Sequence, residues 1–153
     1  MKRIFLAAAV TLGLGATAAL ADGKVYITLP DMSGIAQDPV AADQLLSDMQ
    51  NTLVLSQNCP EASLSDEEHS LLTDGFDLLA YGELKLDTDG IIAKYETPAF
   101  DLLDNSTRAC SEEPELKART IATLIRAGGD LTPLPDQEKA YLDWRALMDQ
   151  IRP

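Results

Sequence analysis

The chain has 153 residues, with 12 lysines and arginines against 25 aspartates and glutamates, a formal net charge of −13. A body this acidic repels phosphate, which excludes nucleic acid and anionic lipid surfaces and leaves basic proteins, cationic ligands and metal ions as possible partners. The length suits one domain with its own core.

Lys2 and Arg3 precede an uncharged apolar run from Ile4 to Ala18, and Ala19-Leu20-Ala21 offers the small residues a signal peptidase requires. This pattern predicts a cleavable signal peptide over 1–21, with the mature chain opening at Asp22. The apolar run is about fifteen residues, short of the roughly twenty that span a bilayer. No other segment approaches that length, so no stable membrane insertion is expected after cleavage. The short charged start and alanine-rich run are of a bacterial kind, and no cysteine lies near the cleavage site to accept a lipid. A periplasmic or secreted protein is therefore expected. Two of the twelve basic residues lie in the leader and none of the acids, leaving ten against twenty-five and a mature charge of −15.

Residues 22–37 read as an extended N-terminal arm. Val25 to Leu29 is β-prone and ends at Pro30, and Ser33-Gly34 marks a loop. Residues 38–153 read as a single helical domain. Asp38-Pro39 combines an N-cap with a proline whose missing N–H has no helical partner to lose. Ala42, Leu45, Leu46, Met49 and Leu53 then recur at helical spacing up to about Gln57. The second helix opens on a capping box between Ser65 and Glu68, with Asp66 and Glu67 at its positive end. Leu72, Phe76 and Leu79 form its inner stripe, and Gly82 is the expected stop.

Asp87-Thr88-Asp89-Gly90 between Leu84-Lys85-Leu86 and Ile91 to Tyr95 predicts a short β-hairpin near 84–95. Thr97-Pro98 repeats the cap-and-proline signal for a third helix, with Phe100 and Leu103 facing inward and Cys110 at its end. A fourth helix follows Ser111, holding Leu116, Ile121, Leu124 and Ile125 and ending at Gly128-Gly129. A fifth opens at Asp136, with Tyr141, Trp144, Met148 and Ile151 on one stripe. The fold class is mainly α: a compact bundle of about five amphipathic helices with the one hairpin, stapled by one disulfide. Cys59 and Cys110 form that staple, joining the end of the first helix to the end of the third. An even pair in an oxidising compartment bonds, and the loop of about fifty residues constrains the unfolded chain by roughly 4 kcal/mol.

Residues 85–96 also resemble the twelve-residue EF-hand loop. Asp87 and Asp89 stand at its third and fifth places, Gly90 at the sixth, Ile92 at the eighth and Glu96 at the twelfth. The resemblance implies a divalent-cation site, calcium above all, with Asp87, Asp89 and Glu96 as ligands. Lys85 stands where the first ligand should be, and Ala93 offers nothing at the ninth place.

Carboxylate pairs of the kind a glycosidase uses are numerous and keep a hydrolase as a third alternative, though the chain is small for such a cleft and poor in sugar-stacking aromatics. Other catalytic constellations are missing from the sequence. His69 is the only histidine, among acids on the second helix. No Gly-x-Ser-x-Gly elbow, phosphate loop or zinc-ligand spacing occurs. No enzyme activity and no cofactor are expected. Tyr141 and Trp144 are the candidate partner face. The expected function is non-enzymatic: binding another protein of the cell envelope, as inhibitors, immunity proteins, chaperones and accessory subunits do. Calcium binding through 85–96 is the alternative.

Overall fold

The computed structural model describes residues 23–152, so the leader predicted over 1–21 lies outside the described residues. Within them the architecture is an α-helical bundle with a two-stranded antiparallel ribbon on one side. The arm enters as β1 (Ile27–Thr28), which pairs with β2 (Asp130–Pro133). A short helical turn, α1 (Ser33–Ala36), stands where a loop was expected.

α2 (Pro39–Asn58) is the central element. Asp38 caps it through its carboxylate, which accepts from the Val40 and Ala41 amides at 3.0 and 3.2 Å. Its inner face, Ala42, Leu45, Leu46 and Met49, is buried as the spacing predicts. α3 (Asp66–Asp77) opens on the predicted capping box: Ser65 Oγ accepts from the Glu68 amide at 3.1 Å, and Glu68 accepts from the Ser65 amide at 3.0 Å. The helix does not stop at Gly82. It widens into a π-helical segment, Leu78–Glu83, and Gly82 lies inside it with Ile151 of the last helix close above. The run ends at Lys85, which takes the left-handed backbone (φ 53°) usually given to glycine.

The hairpin expected near 84–95 is not formed. Asp87 turns its carboxylate onto the Gly90 amide at 2.7 Å and caps α4 (Thr88–Ile91). A second π-helical segment, Ile92–Glu96, follows and leads directly into α5 (Thr97–Asp101). Asp-x-x-Gly chemistry serves a hairpin turn and a helix cap alike. Ile91, Tyr95 and Ala99, spaced by four, decide between them by burying one helical stripe. Thr97-Pro98 therefore does not begin a separate helix. The Thr97 amide reaches back five residues to the Ile92 carbonyl, and this wide turn immediately precedes the proline.

A 3₁₀ segment, Leu102–Asn105, links to α6 (Ser106–Arg126). The helix boundary thus falls at Asn105 rather than at Ser111. Cys110 lies within the second turn of α6 and not after a helix end. Phe100, expected inward, is 49 % exposed, and Ala99 fills the core instead; in α6 Leu124 is buried while Ile125 is 45 % exposed. α6 ends at Gly128, whose φ of +99° makes it the predicted stop. α7 (Gln137–Ile151) is capped by Asp136, which accepts from the Lys139 amide at 3.0 Å.

The main core gathers Leu46, Met49, Leu71, Leu72, Phe76, Leu79 and Leu124 between α2, α3 and α6. A smaller apolar cluster, Leu55, Cys59, Ala109 and Leu116, surrounds the disulfide. Burying side chains of this kind contributes about 1.5–3 kcal/mol each.

Candidate functional site

Cys59 and Cys110 are bonded, with S–S 2.02 Å and Cα–Cα 5.5 Å. The bond ties the C-terminal cap of α2 to α6. One turn inward on both helices, Ser56 Oγ donates to the buried Glu113 carboxylate at 2.7 Å. A covalent and a polar tie therefore lie side by side across the α2–α6 contact, and neither helix can slide on the other there.

Above these ties runs a surface groove. Asn105 at the N-cap of α6 and Arg108, Ala109, Glu112, Leu116 and Arg119 within it line the groove, and their spacing of three, one, three, four and three makes them one stripe. The stripe is about 21 Å long at 1.5 Å per residue. Leu102, 37 % exposed, divides the groove into depressions of about 340 and 160 Å³, both of which also contact Ala109 and Glu112. Leu55, Ala109 and Leu116 of the apolar cluster beside the disulfide form its floor. Asp101 and Asp104 stand on the rim, Arg108 pairs with Glu112 at 3.0 Å, and Arg119 pairs with Asp48 of α2 at 3.2 Å.

The residues predicted to hold a cation are not gathered. Asp87 is engaged as the α4 cap, and the backbone from Thr88 onward is helical rather than wrapped round a common centre. Among the described residues no group of three or more His, Cys, Asp or Glu side chains is arranged to hold a metal ion. His69 is exposed on α3.

Tyr141 and Trp144, the candidate partner face, are half-buried and turned toward the arm. Both rings pack on buried Tyr26, at centroid distances of 5.9 and 5.7 Å. The Trp144 indole donates to Asp74 Oδ1 at 3.0 Å, and Lys24 Nζ lies 2.5 Å from the same oxygen. Asp74 is 2 % exposed. Three residues further along α3, buried Asp77 accepts from Arg152 at the end of α7. Burial raises the Asp77 carboxyl above the usual aspartate range, against the opposing pull of Arg152. The Gln137 side chain completes the seam: its Oε1 accepts from the Tyr26 amide, and its Nε2 donates to the Tyr26 carbonyl, both at 2.8 Å.

No protein-family model, no curated protein and no solved structure matches this chain.

Sequence reasoning missed the arm–α3–α7 seam and the groove for different reasons. Asp74 falls three residues after Leu71 and four before Leu78, so helical spacing alone places an acid on the buried face of α3 and calls for a partner. No comparable local signal singles out Lys24, Gln137 or Arg152, because each meets its partner across at least fifty residues of chain. The groove was hidden by the misplaced helix boundary at Ser111, which split its stripe between two elements.

Proposed function

We propose that the protein acts in the cell envelope, without catalysis, by binding another protein along the α6 groove. The observation that carries this reading is the groove itself: an apolar floor, a projecting Leu102 and charged rims, held in shape by the disulfide and the Ser56–Glu113 bond. Its length of about four helical turns matches the mode in which a partner lays one amphipathic segment into a hydrophobic groove. The acidic body favours a basic segment as the occupant, because opposite charge speeds encounter and suppresses acidic competitors. The leader pattern of residues 2–21 supports export, and the Cys59–Cys110 bond accords with an oxidising compartment.

Two measurements test the proposal. Mass analysis of the protein recovered from the envelope should give an N-terminus at Asp22. Immobilised mature protein should capture a specific envelope protein whose affinity, remeasured with purified components, falls about tenfold or more in Leu102→Glu. A partner bound equally by wild type and Leu102→Glu would remove the groove from the proposal, and recovery of no partner after crosslinking would remove the function.

A further inference from the structure

The seam beneath α7 holds an arrangement that the groove does not use. Lys24 Nζ sits 2.5 Å from Asp74 Oδ1, 4.2 Å from the centre of the Trp144 ring and 5.8 Å from that of Tyr26. One buried carboxylate and two aromatic faces around a single ammonium are the chemistry by which proteins recognise alkylammonium ligands: the carboxylate supplies the charge-assisted bond, and the rings add cation–π attraction. We propose that Asp74, Trp144 and Tyr26 form an ammonium-binding site that the chain's own Lys24 fills in this structure, and that a primary amine from another molecule takes its place when the start of the arm lifts.

Three features separate this from a plain structural pin. The walls stay when the plug leaves. Tyr26 is held through its own backbone by the Gln137 amide and by the Leu134 amide, and Asp74 keeps its bond from Trp144. Lys24 lies two residues outward from that backbone anchor, beside Gly23. Its side chain is 18 % exposed and borders a surface depression of about 340 Å³ lined by His69, Ser70 and Thr73, which gives an incoming amine a route. A second depression of about 160 Å³ touches Tyr26, Asp74 and Trp144 and is lined by Leu29, Leu134 and Leu147 together with Asp143, giving mostly apolar room for a short alkyl body. The ligand class is therefore a primary ammonium on an unbranched apolar stem. Both a lysine side chain and a free alkylamine meet that description.

Trp144 is the single tryptophan, so its fluorescence reads the site directly. Mature wild type, Lys24→Met and the double variant Lys24→Met/Asp74→Asn are titrated with n-butylammonium, with the tripeptide Gly-Lys-Gly and with n-butanol. The proposal expects saturable quenching or a spectral shift in Lys24→Met with an ammonium. The apparent affinity should be about tenfold or more above wild type, since removing an internal competitor raises the fraction of open sites. The double variant and n-butanol should give no saturable response. A response to Gly-Lys-Gly alone assigns the site to a lysine side chain, and one to n-butylammonium alone assigns it to free amines. The proposal is overturned if Lys24→Met, with wild-type far-UV circular dichroism, shows no saturation at tens of millimolar amine. It is equally overturned if n-butanol acts as well as the ammonium. Should Lys24→Met fail to fold, Lys24→Ser is used; failure of both makes Lys24 an indispensable pin and ends the proposal.

Discussion

At the scale of single residues, burial overrides composition. Asp77 is an acid within a chain of acids, yet α3 carries it under Arg152 and away from solvent, and its carboxyl titrates above the ordinary aspartate value. A carboxyl raised in the folded state favours folding at low pH, and that contribution is lost as pH rises through the folded value. Asp77→Asn should therefore gain stability relative to wild type as the medium moves from pH 4 to pH 7, read as the difference in Tm between the two proteins; a change in the opposite direction contradicts the assignment. Asp43 works in reverse. The Lys94 ammonium and then the Tyr95 hydroxyl hold its carboxyl below the usual range, so its contribution is present at neutral pH and fades under acid.

Gly129 is a second residue whose role only its surroundings reveal. A Cβ there would lie 2.7 Å from Leu71 Cδ1 and 3.1 Å from the Leu124 carbonyl oxygen, and that backbone cannot yield. Gly129→Ala should cost about 1–3 kcal/mol by overpacking, measured by urea unfolding. Gly34→Ala is the control, with open space around its Cβ and no expected loss. In sequence both positions read simply as punctuation.

At the scale of elements, capping signals were legible and periodicity was decisive. Asp38-Pro39, Ser65 with Glu68, and Asp136 all cap the helices predicted for them, because a cap bonds amides two or three residues away and needs nothing else. Ser65→Ala should lower stability by about 1 kcal/mol, seen as a shift of the thermal midpoint with the slope of unfolding unchanged. The same local chemistry misled at Asp87, where a cap and a hairpin turn look alike. Ile91, Tyr95 and Ala99 carried the deciding helical period, and their partners lie elsewhere: Tyr95 packs edge-on against Phe76 at 6.1 Å and donates to Asp43 at 2.7 Å. Pro114 is a further instance. Proline inside a helix usually marks its start, yet α6 begins eight residues earlier and continues past it, with the carbonyl of Cys110 giving up its usual donor.

At the scale of the whole molecule, the staple and the charge set the behaviour. Cys59 and Cys110 are 51 residues apart, and replacing both with serine should destabilise the fold by up to about 4 kcal/mol, measured as a lower urea midpoint. Among the described residues Asp87, Asp89 and Glu96 are not gathered into a metal-holding group, and on the protein-binding proposal millimolar calcium against chelator should leave the thermal midpoint unchanged. A rise of several degrees would restore the cation reading.

The sequence by itself determined the helical class, the cysteine pairing, the capped starts of α2, α3 and α7 and the acidic character. Each depends on neighbours along the chain or on composition. Tertiary structure alone decided that residues 88–96 are helical, that Phe100 faces outward, that α6 carries the groove, and that Lys24, Asp74 and Trp144 meet. The physical reason is common to all four. A local pattern states which residues could be buried, but the free energy of burial is realised only against a particular opposing surface, and in this bundle that surface comes from distant parts of the chain.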